Sequence, residues 1–296
     1  MKRKKDQMAL HLMMLPGMIL LVIFSFIPMF GIVMAFQNYM PARGILKSPW
    51  VGMDNFKFMF QMPDSKQIFI NTITIAVSKI ILSTFVTIIF ALLLNEIKNK
   101  FMKRSIQTIV YLPNFLSWVI LATVVVNIFA YDGPINAVLG AFGIEPILFM
   151  ASNKWFRSVL VVTDVWKGFG YGAIIYLAAL SGIDPGLYEA AAIDGANRFK
   201  RIWHITLPGI LPTIMLVTIM NLPNVLNAGF DQIFNLYNPL VMETSDIIDT
   251  WVYRVGLVER QYSLGTAVGL LRSIVGIILM LSANKIAKKL TDYRIF

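Results

Sequence analysis

The sequence contains no cysteine, so disulfides, thiolate catalysis and cysteine-ligated metals are excluded. Histidine is nearly as scarce. His11 and His204 are the only two, too few to build a histidine-based metal site. Without these residues only scattered carboxylates remain. No converging set of catalytic side chains is in view, and the chain is not expected to be an enzyme. Charge is also thin, at 14% of 296 residues, where a soluble domain carries roughly 25%. The phosphate-cradling pattern G-x-x-x-x-G-K-[ST] is absent. Its nearest look-alike, "GFGYG" at 168–172, follows no strand and falls inside an apolar run. It is expected to serve helix packing or a local helix break. Repeats and low-complexity tracts are missing too.

What is abundant is apolar length: 57% of the residues are hydrophobic and the mean hydropathy is +0.69. About 20 apolar residues cross a bilayer as a helix, and six stretches meet that length: 12–36, 68–94, 106–129, 158–182, 207–230 and 262–284. The expected fold is all-α, a polytopic membrane protein with six transmembrane helices in a single domain, 1–296. The first stretch follows "MKRKK", as a signal peptide would. Its apolar run is too long for a signal sequence, however, and no small-x-small cleavage site follows, so it is expected to stay as a helix.

The net charge of +10 could suggest nucleic acid, but the positions of the 26 basic residues give a different answer. With both termini cytoplasmic, fifteen fall in inner segments: Lys2, Arg3, Lys4, Lys5; Lys98, Lys100, Lys103, Arg104; Arg198, Lys200, Arg201; Lys285, Lys288, Lys289, Arg294. Eight fall in the outer loops, where nine acids offset them. This is the positive-inside pattern of a multi-pass plasma-membrane protein, and it accounts for the charge without nucleic acid. The first outer loop carries "SPWVGMDNFKFMF", whose aromatics suit an interfacial belt or short amphipathic helix. A docking surface for an outer partner is the alternative.

One inner loop, 183–206, is unlike the rest. In "SGIDPGLYEAAAIDGANRFKRIWHITLPGILP", Asp184 and Pro185 read as an N-cap and first-turn proline. Ala190, Ala191 and Ala192 propagate a helix, and Gly195 ends it. A second, basic helical piece follows, and Pro208 restarts the chain into span five.

These residues resemble the EAA loop of binding-protein-dependent ABC importer permeases. Glu189-Ala190-Ala191, Asp194-Gly195-Ala196 and Ile205-Thr206-Leu207-Pro208 stand at the family's spacing. Ile202 departs from it, since many members carry an aromatic there. The segments "WVGMDNF", "NTITIAVSKIILSTFVTIIFALLLNEI", "FDQIFNLYNPLV" and "YSLGTAVGLLRSIVGIILML" extend the likeness to the carbohydrate-importer permeases, nearest the oligosaccharide and uronide-polysaccharide branch. The resemblance implies an ABC type I importer permease fold, with the EAA loop as a coupling helix for a separate ATPase. Glu189, Ala190, Ala191, Asp194, Gly195, Ala196, Arg198 and Pro208 are the coupling residues it points to. It further implies two ATPase subunits, a second permease subunit (expected to be a different chain) and an extracytoplasmic solute-binding protein. The cargo would be an oligosaccharide. No cofactor is expected on this chain; Mg-ATP would sit on the partner. An importer of the same architecture for a non-sugar solute is the alternative. A secondary transporter fits less well, since it needs no ATPase-docking loop.

Several polar residues lie at membrane depth, where an ionisable group costs on the order of 2.5–3.5 kcal/mol unless paired or wet. Lys79, Asp164, Lys167 and Arg272 are the charged ones. Asp164 and Lys167, three apart, share a helix face and either neutralise each other or line a path. Lys79 and Arg272 could each pair with a carboxylate on a neighbouring helix. Asn221, Asn224 and Asn227 recur at spacing three, Asp231 and Gln232 close the outer end of span five, and span four carries Trp166, Phe169, Tyr171 and Tyr176. Amides and aromatic faces suit a sugar's hydroxyl and C–H surfaces. An inter-helix amide ladder with ordinary aromatic packing explains them equally well.

Overall fold

The computed structural model describes the backbone of residues 2–291 and the side chains of 11–282, 284 and 285. Lys2, Arg3, Lys4, Lys5, Lys288, Lys289 and Arg294 of the charge count lie outside the side chains so described. The main helices are α1 (Lys2–Leu21), α2 (Asp54–Gln61), α3 (Ser65–Glu96), α4 (Lys100–Tyr111), α5 (Trp118–Ile128), α6 (Pro134–Ala141), α7 (Asn153–Ser181), α8 (Pro185–Ile193), α9 (Leu207–Asn221), α10 (Phe230–Leu236) and α11 (Tyr262–Thr291). Among the described residues there is no strand, only an isolated antiparallel bridge between Gln37 and Trp50. A helix satisfies its own backbone N–H and C=O groups, which is what a bilayer interior demands.

Five helical stretches are long and apolar enough to cross a membrane: His11–Phe36, Ser65–Glu96, Asn153–Ser181, Arg198–Leu226 and Tyr262–Ser282. The stretch expected at 106–129 is broken instead. Lys100–Phe115 and Trp118–Ile128 meet at 106°. Pro113 sits in a 3-10 turn, Leu112–Phe115, Leu116 and Ser117 are extended, and the Ser117 side chain caps the new helix by accepting from the Ile120 N–H.

Two other prolines widen a helix without breaking it. A proline ring clashes with the carbonyl four residues earlier, which means Phe24 for Pro28 and His204 for Pro208. Both residues lie in π-helical turns, Val22–Phe26 and Ile202–Thr206, where the wider helix relieves the clash. The fifth span therefore does not restart at Pro208. It runs on continuously from Arg198 and ends at Leu226, short of the expected 230.

Packing divides the chain into two compact units. One comprises the chain up to Ser65 together with Trp251–Ser273. Its core joins Ala35, Phe56 and Ala267. Phe56 and Met59, three apart on α2, are buried, while Phe58 and Phe60 are exposed, so α2 is the short amphipathic helix expected there. Asn55 donates to the carbonyls of Ala35 (2.8 Å) and Gln37 (3.0 Å), and Trp50 stacks on Phe36.

The other unit comprises Lys66–Thr250 and the chain from Ile274. Its main core gathers Ile75 of α3, Val125 of α5, Phe156 and Leu160 of α7, and Ile233 of α10. A second cluster joins Ala91, Ala173, Tyr176 and Ile210. Gly170 of "GFGYG" faces α4 so closely that a Cβ there would lie 2.4 Å from Val110 Cγ1. That glycine serves helix packing.

Candidate coupling loop and membrane cavity

The loop after α7 is built by local capping. Asp184 accepts from the Gly186 N–H at 2.9 Å, and Pro185 takes the first helical position. At the other end Ala196 N–H donates to Ala191 O (2.9 Å) and Gly195 N–H to Ala192 O (3.2 Å), the paired bonds of a Schellman cap. That cap needs a left-handed residue, and Gly195 has φ +73°. Asn197 then caps the next helical turn through the Lys200 N–H at 2.9 Å. Three devices within fourteen residues thus fix α8 as a short helix set off from the spans on either side.

The surface of this loop is mixed. Glu189, Ala190, Asp194, Gly195, Arg198 and Pro208 are exposed, and Ala191 and Ala196 are half-buried. Ile193 is 88% exposed, Phe199 76% and Trp203 67%. Large apolar side chains thus stand open beside charged ones on this loop. Tyr188 points the other way, its hydroxyl 3.0 Å from Thr206 Oγ1.

A cavity of about 210 Å³ opens between α3, α7 and the end of the fifth span. Lys79, Ser83, Thr84, Asp164, Asn221, Asn224 and Asn227 are among its lining residues. The three asparagines expected to line a path are therefore together, and no hydrogen-bonded amide ladder joins them among the described residues. Asn227 accepts from the Gly229 N–H at 3.3 Å. Trp166, Tyr171, Asp231 and Arg272 do not line the cavity. Trp166, Tyr171 and Asp231 are exposed, and Arg272 is half-buried on α11. Tyr171 packs edge-on against Phe115.

The charged residues pair differently from the local expectation. Asp164 is matched with Lys79 of α3 at 3.2 Å, not with Lys167. Lys79, 7% exposed, donates also to Ala228 O at 2.7 Å and to Gln232 Oε1. Lys167 instead reaches the break between α4 and α5, where it donates to the carbonyls of Pro113 (3.3 Å), Asn114 (3.0 Å) and Leu116 (2.6 Å). The helical ladder stops here, with Pro113 O keeping only a 3-10 bond from the Leu116 N–H (3.2 Å), and an ammonium is a fitting donor for such an end.

Two amides tie this architecture together: Gln232, which the sequence places at the outer end of span five, and Asn71, which carries no distinguishing sequence signal. Gln232, fully buried, links Lys79 to Leu160 O (2.7 Å) and Thr163 Oγ1 (2.8 Å). Asn71, also fully buried, donates to Glu243 O and Asp246 O (both 2.9 Å) while its own carbonyl accepts from Arg157 (2.5 Å) and Gln67 (3.0 Å). Together they fasten α10 and the segment after it onto α3 and α7. Polar spacing alone cannot separate them from the other amides of the chain.

Comparison with known proteins bears on the whole chain. Residues 80–292 match the family described as the binding-protein-dependent transport system inner membrane component. Protein LplB of Bacillus subtilis (strain 168) is 42% identical, over 99% of this chain and 92% of its own length. The polygalacturonan/rhamnogalacturonan transport system permease protein YteP of the same organism is 40% identical, over 98% and 91%. Among solved structures, a chain of the bacterial alginate ABC transporter, in complex with an alginate pentasaccharide-bound periplasmic protein, superposes with a TM-score of 0.90. It shares 36% identity over 99% of both chains. The fold is that of an ABC type I importer permease, and the EAA pattern in the loop around α8 is typical of that family. The chain belongs to the binding-protein-dependent transport system inner membrane components, a family of membrane permeases rather than enzymes.

Proposed function

We propose that this chain is the membrane-spanning permease subunit of an ATP-driven importer of oligosaccharides, with uronide-containing chains as the favoured cargo. The observation that carries the coupling role is α8: a helix capped at both ends, with Ile193 left 88% exposed beside Glu189 and Asp194. It is the contact for an ATP-hydrolysing subunit, and Glu189, Ala190, Ala191, Asp194, Gly195, Ala196, Arg198 and Pro208 shape it. Two such ATPases, holding Mg-ATP, work with a second permease chain and an extracytoplasmic binding protein. The charge asymmetry of the loops supports cytoplasmic termini and a cytoplasmic α8. The named cargos of the pectin-chain and alginate relatives support the saccharide class.

The asparagine-lined cavity is the proposed stretch of path. Asn221 and Asn224 make no side-chain hydrogen bond among the described residues, which leaves their amides for sugar hydroxyls. The test is uptake into proteoliposomes holding the complete transporter and its binding protein. An oligogalacturonide is expected to be taken up and to stimulate ATP hydrolysis, whereas a dipeptide is not. Asn221→Leu/Asn224→Leu is expected to lower that stimulation several-fold. Equal stimulation by the dipeptide contradicts the cargo, and unchanged stimulation in the variant contradicts the path.

A further inference from the structure

A second cavity, of about 150 Å³, lies behind α8. Lys98, from the loop after α3, and Arg198 and Arg201, from the turn before α9, line it together with Glu96, Tyr188 and Thr206. Tyr188 and Ile193 are five residues apart, hence about 140° around the helix at 100° per residue. The cavity therefore occupies the side of α8 away from Ile193. Three cations and one carboxylate leave it a surplus of two positive charges. Among the described residues none of the three cations enters an ion pair; the described pairs are Lys57–Asp54 and Lys79–Asp164. Glu96, Lys98 and Arg198 are exposed and Arg201 is half-buried, so the cavity opens to the surface and presents a net positive field to an anion that enters it.

The donors specify the anion. Two guanidiniums and an ammonium suit a phosphate, which arginine binds through paired N–H groups. The Glu96 carboxylate accepts only, so it suits a hydroxyl carried next to that phosphate. The surroundings specify its source. Leu93, Phe101 and Trp203, each within five residues of a cavity residue in the chain, are 64%, 81% and 67% exposed. They offer apolar surface where two spans end. Basic pockets between spans at the inner membrane surface are suited to acidic lipid headgroups. A partner protein docking on Ile193 would approach the other side of α8.

We infer that this cavity binds the headgroup phosphate of an anionic phospholipid and so ties a lipid to the base of the coupling helix. The lipid bridges the end of α3 to the turn between α8 and α9, and braces the helix from behind while its outer face is engaged. The site itself does not depend on which side of the membrane α8 occupies; sidedness decides only which leaflet supplies the lipid.

The test is native mass spectrometry of the complete transporter in detergent, titrated with phosphatidylglycerol or phosphatidylcholine. The comparison is with Lys98→Gln/Arg201→Gln, at positions outside the coupling residues named above. Phosphatidylglycerol is expected to bind in preference to phosphatidylcholine, and the double variant to weaken its binding about tenfold or more, while phosphatidylcholine is unaffected. Equal binding of the two lipids by the native chain overturns the inference, as would follow if an acidic side chain of a partner filled the cavity. So does undiminished phosphatidylglycerol binding by the variant. Displacement of phosphatidylglycerol by millimolar inorganic phosphate also overturns it, since the site would then take a free anion. The measurement is blind to sidedness, so its failure is distinct from a failure of the proposed topology.

Discussion

At Lys79 a nearly buried ammonium survives in an apolar helix because three acceptors use its three N–H groups: Asp164, Gln232 and Ala228 O. Removing the ammonium leaves a carboxylate and two carbonyl oxygens without their donor. Lys79→Met is therefore expected to destabilise the fold by on the order of 2–3 kcal/mol. Asp164 is half-buried, which keeps the cost below that of a fully dry pair. Lys79→Met/Asp164→Leu, which removes both charges, is expected to recover part of the loss in a thermal unfolding series in detergent. A double variant no better than the single would contradict the pairing. Each charge is legible in the sequence as a residue the membrane disfavours. The pair is not, because its members are 85 positions apart and no spacing rule joins them. The nearer Asp164–Lys167 spacing invites a pairing, but Lys167 goes to the carbonyls of Pro113, Asn114 and Leu116 instead.

Among the elements, α8 is the most legible, because every device that forms it is local. The Asp184 cap, the alanine run and the Gly195 turn all act over a few residues, and all are present. Gly195 sits at φ +73° with open space around it, so a side chain there meets backbone strain of about 1–2 kcal/mol rather than a clash. Gly195→Trp is expected to leave the permease in the membrane yet reduce substrate-stimulated ATP hydrolysis several-fold, as the cap reorients α8. Normal stimulation would contradict the coupling role. The bend between α4 and α5 is less legible. Pro113 reads as one more tolerated proline, and the residue that stabilises the open end, Lys167, comes from another helix. Lys167→Met is expected to lower the thermal midpoint by an amount worth about 1–3 kcal/mol, and Lys167→Arg by clearly less. Equal losses in the two would show that hydrogen bonding to those carbonyls is unimportant.

For the whole molecule, apolar length and basic-residue counts carry most of what can be known in advance. They give the helical membrane class and the approximate spans, since lipid leaves a chain few other choices. They cannot give the partition of those helices into two packed units, which depends on side-chain contacts between distant segments such as Ala35 with Ala267. The proposed topology is open to direct labelling, because the chain has no cysteine of its own. Ala192→Cys is expected to react with a membrane-impermeant maleimide only in inside-out vesicles, and a cysteine at the exposed Leu46 only in right-side-out cells. The reverse pattern would invert the orientation.

An ATPase that drives this permease through α8 must cover Ile193, the most exposed large apolar side chain of that helix. The complete transporter carrying Ile193→Glu would be expressed, extracted and captured through the permease, and the ATP-hydrolysing subunits retained on it would be quantified. The variant is expected to insert normally but to retain those subunits at least about tenfold less well, because a charge is forced into an apolar contact. Full retention with normal transport would contradict coupling through α8.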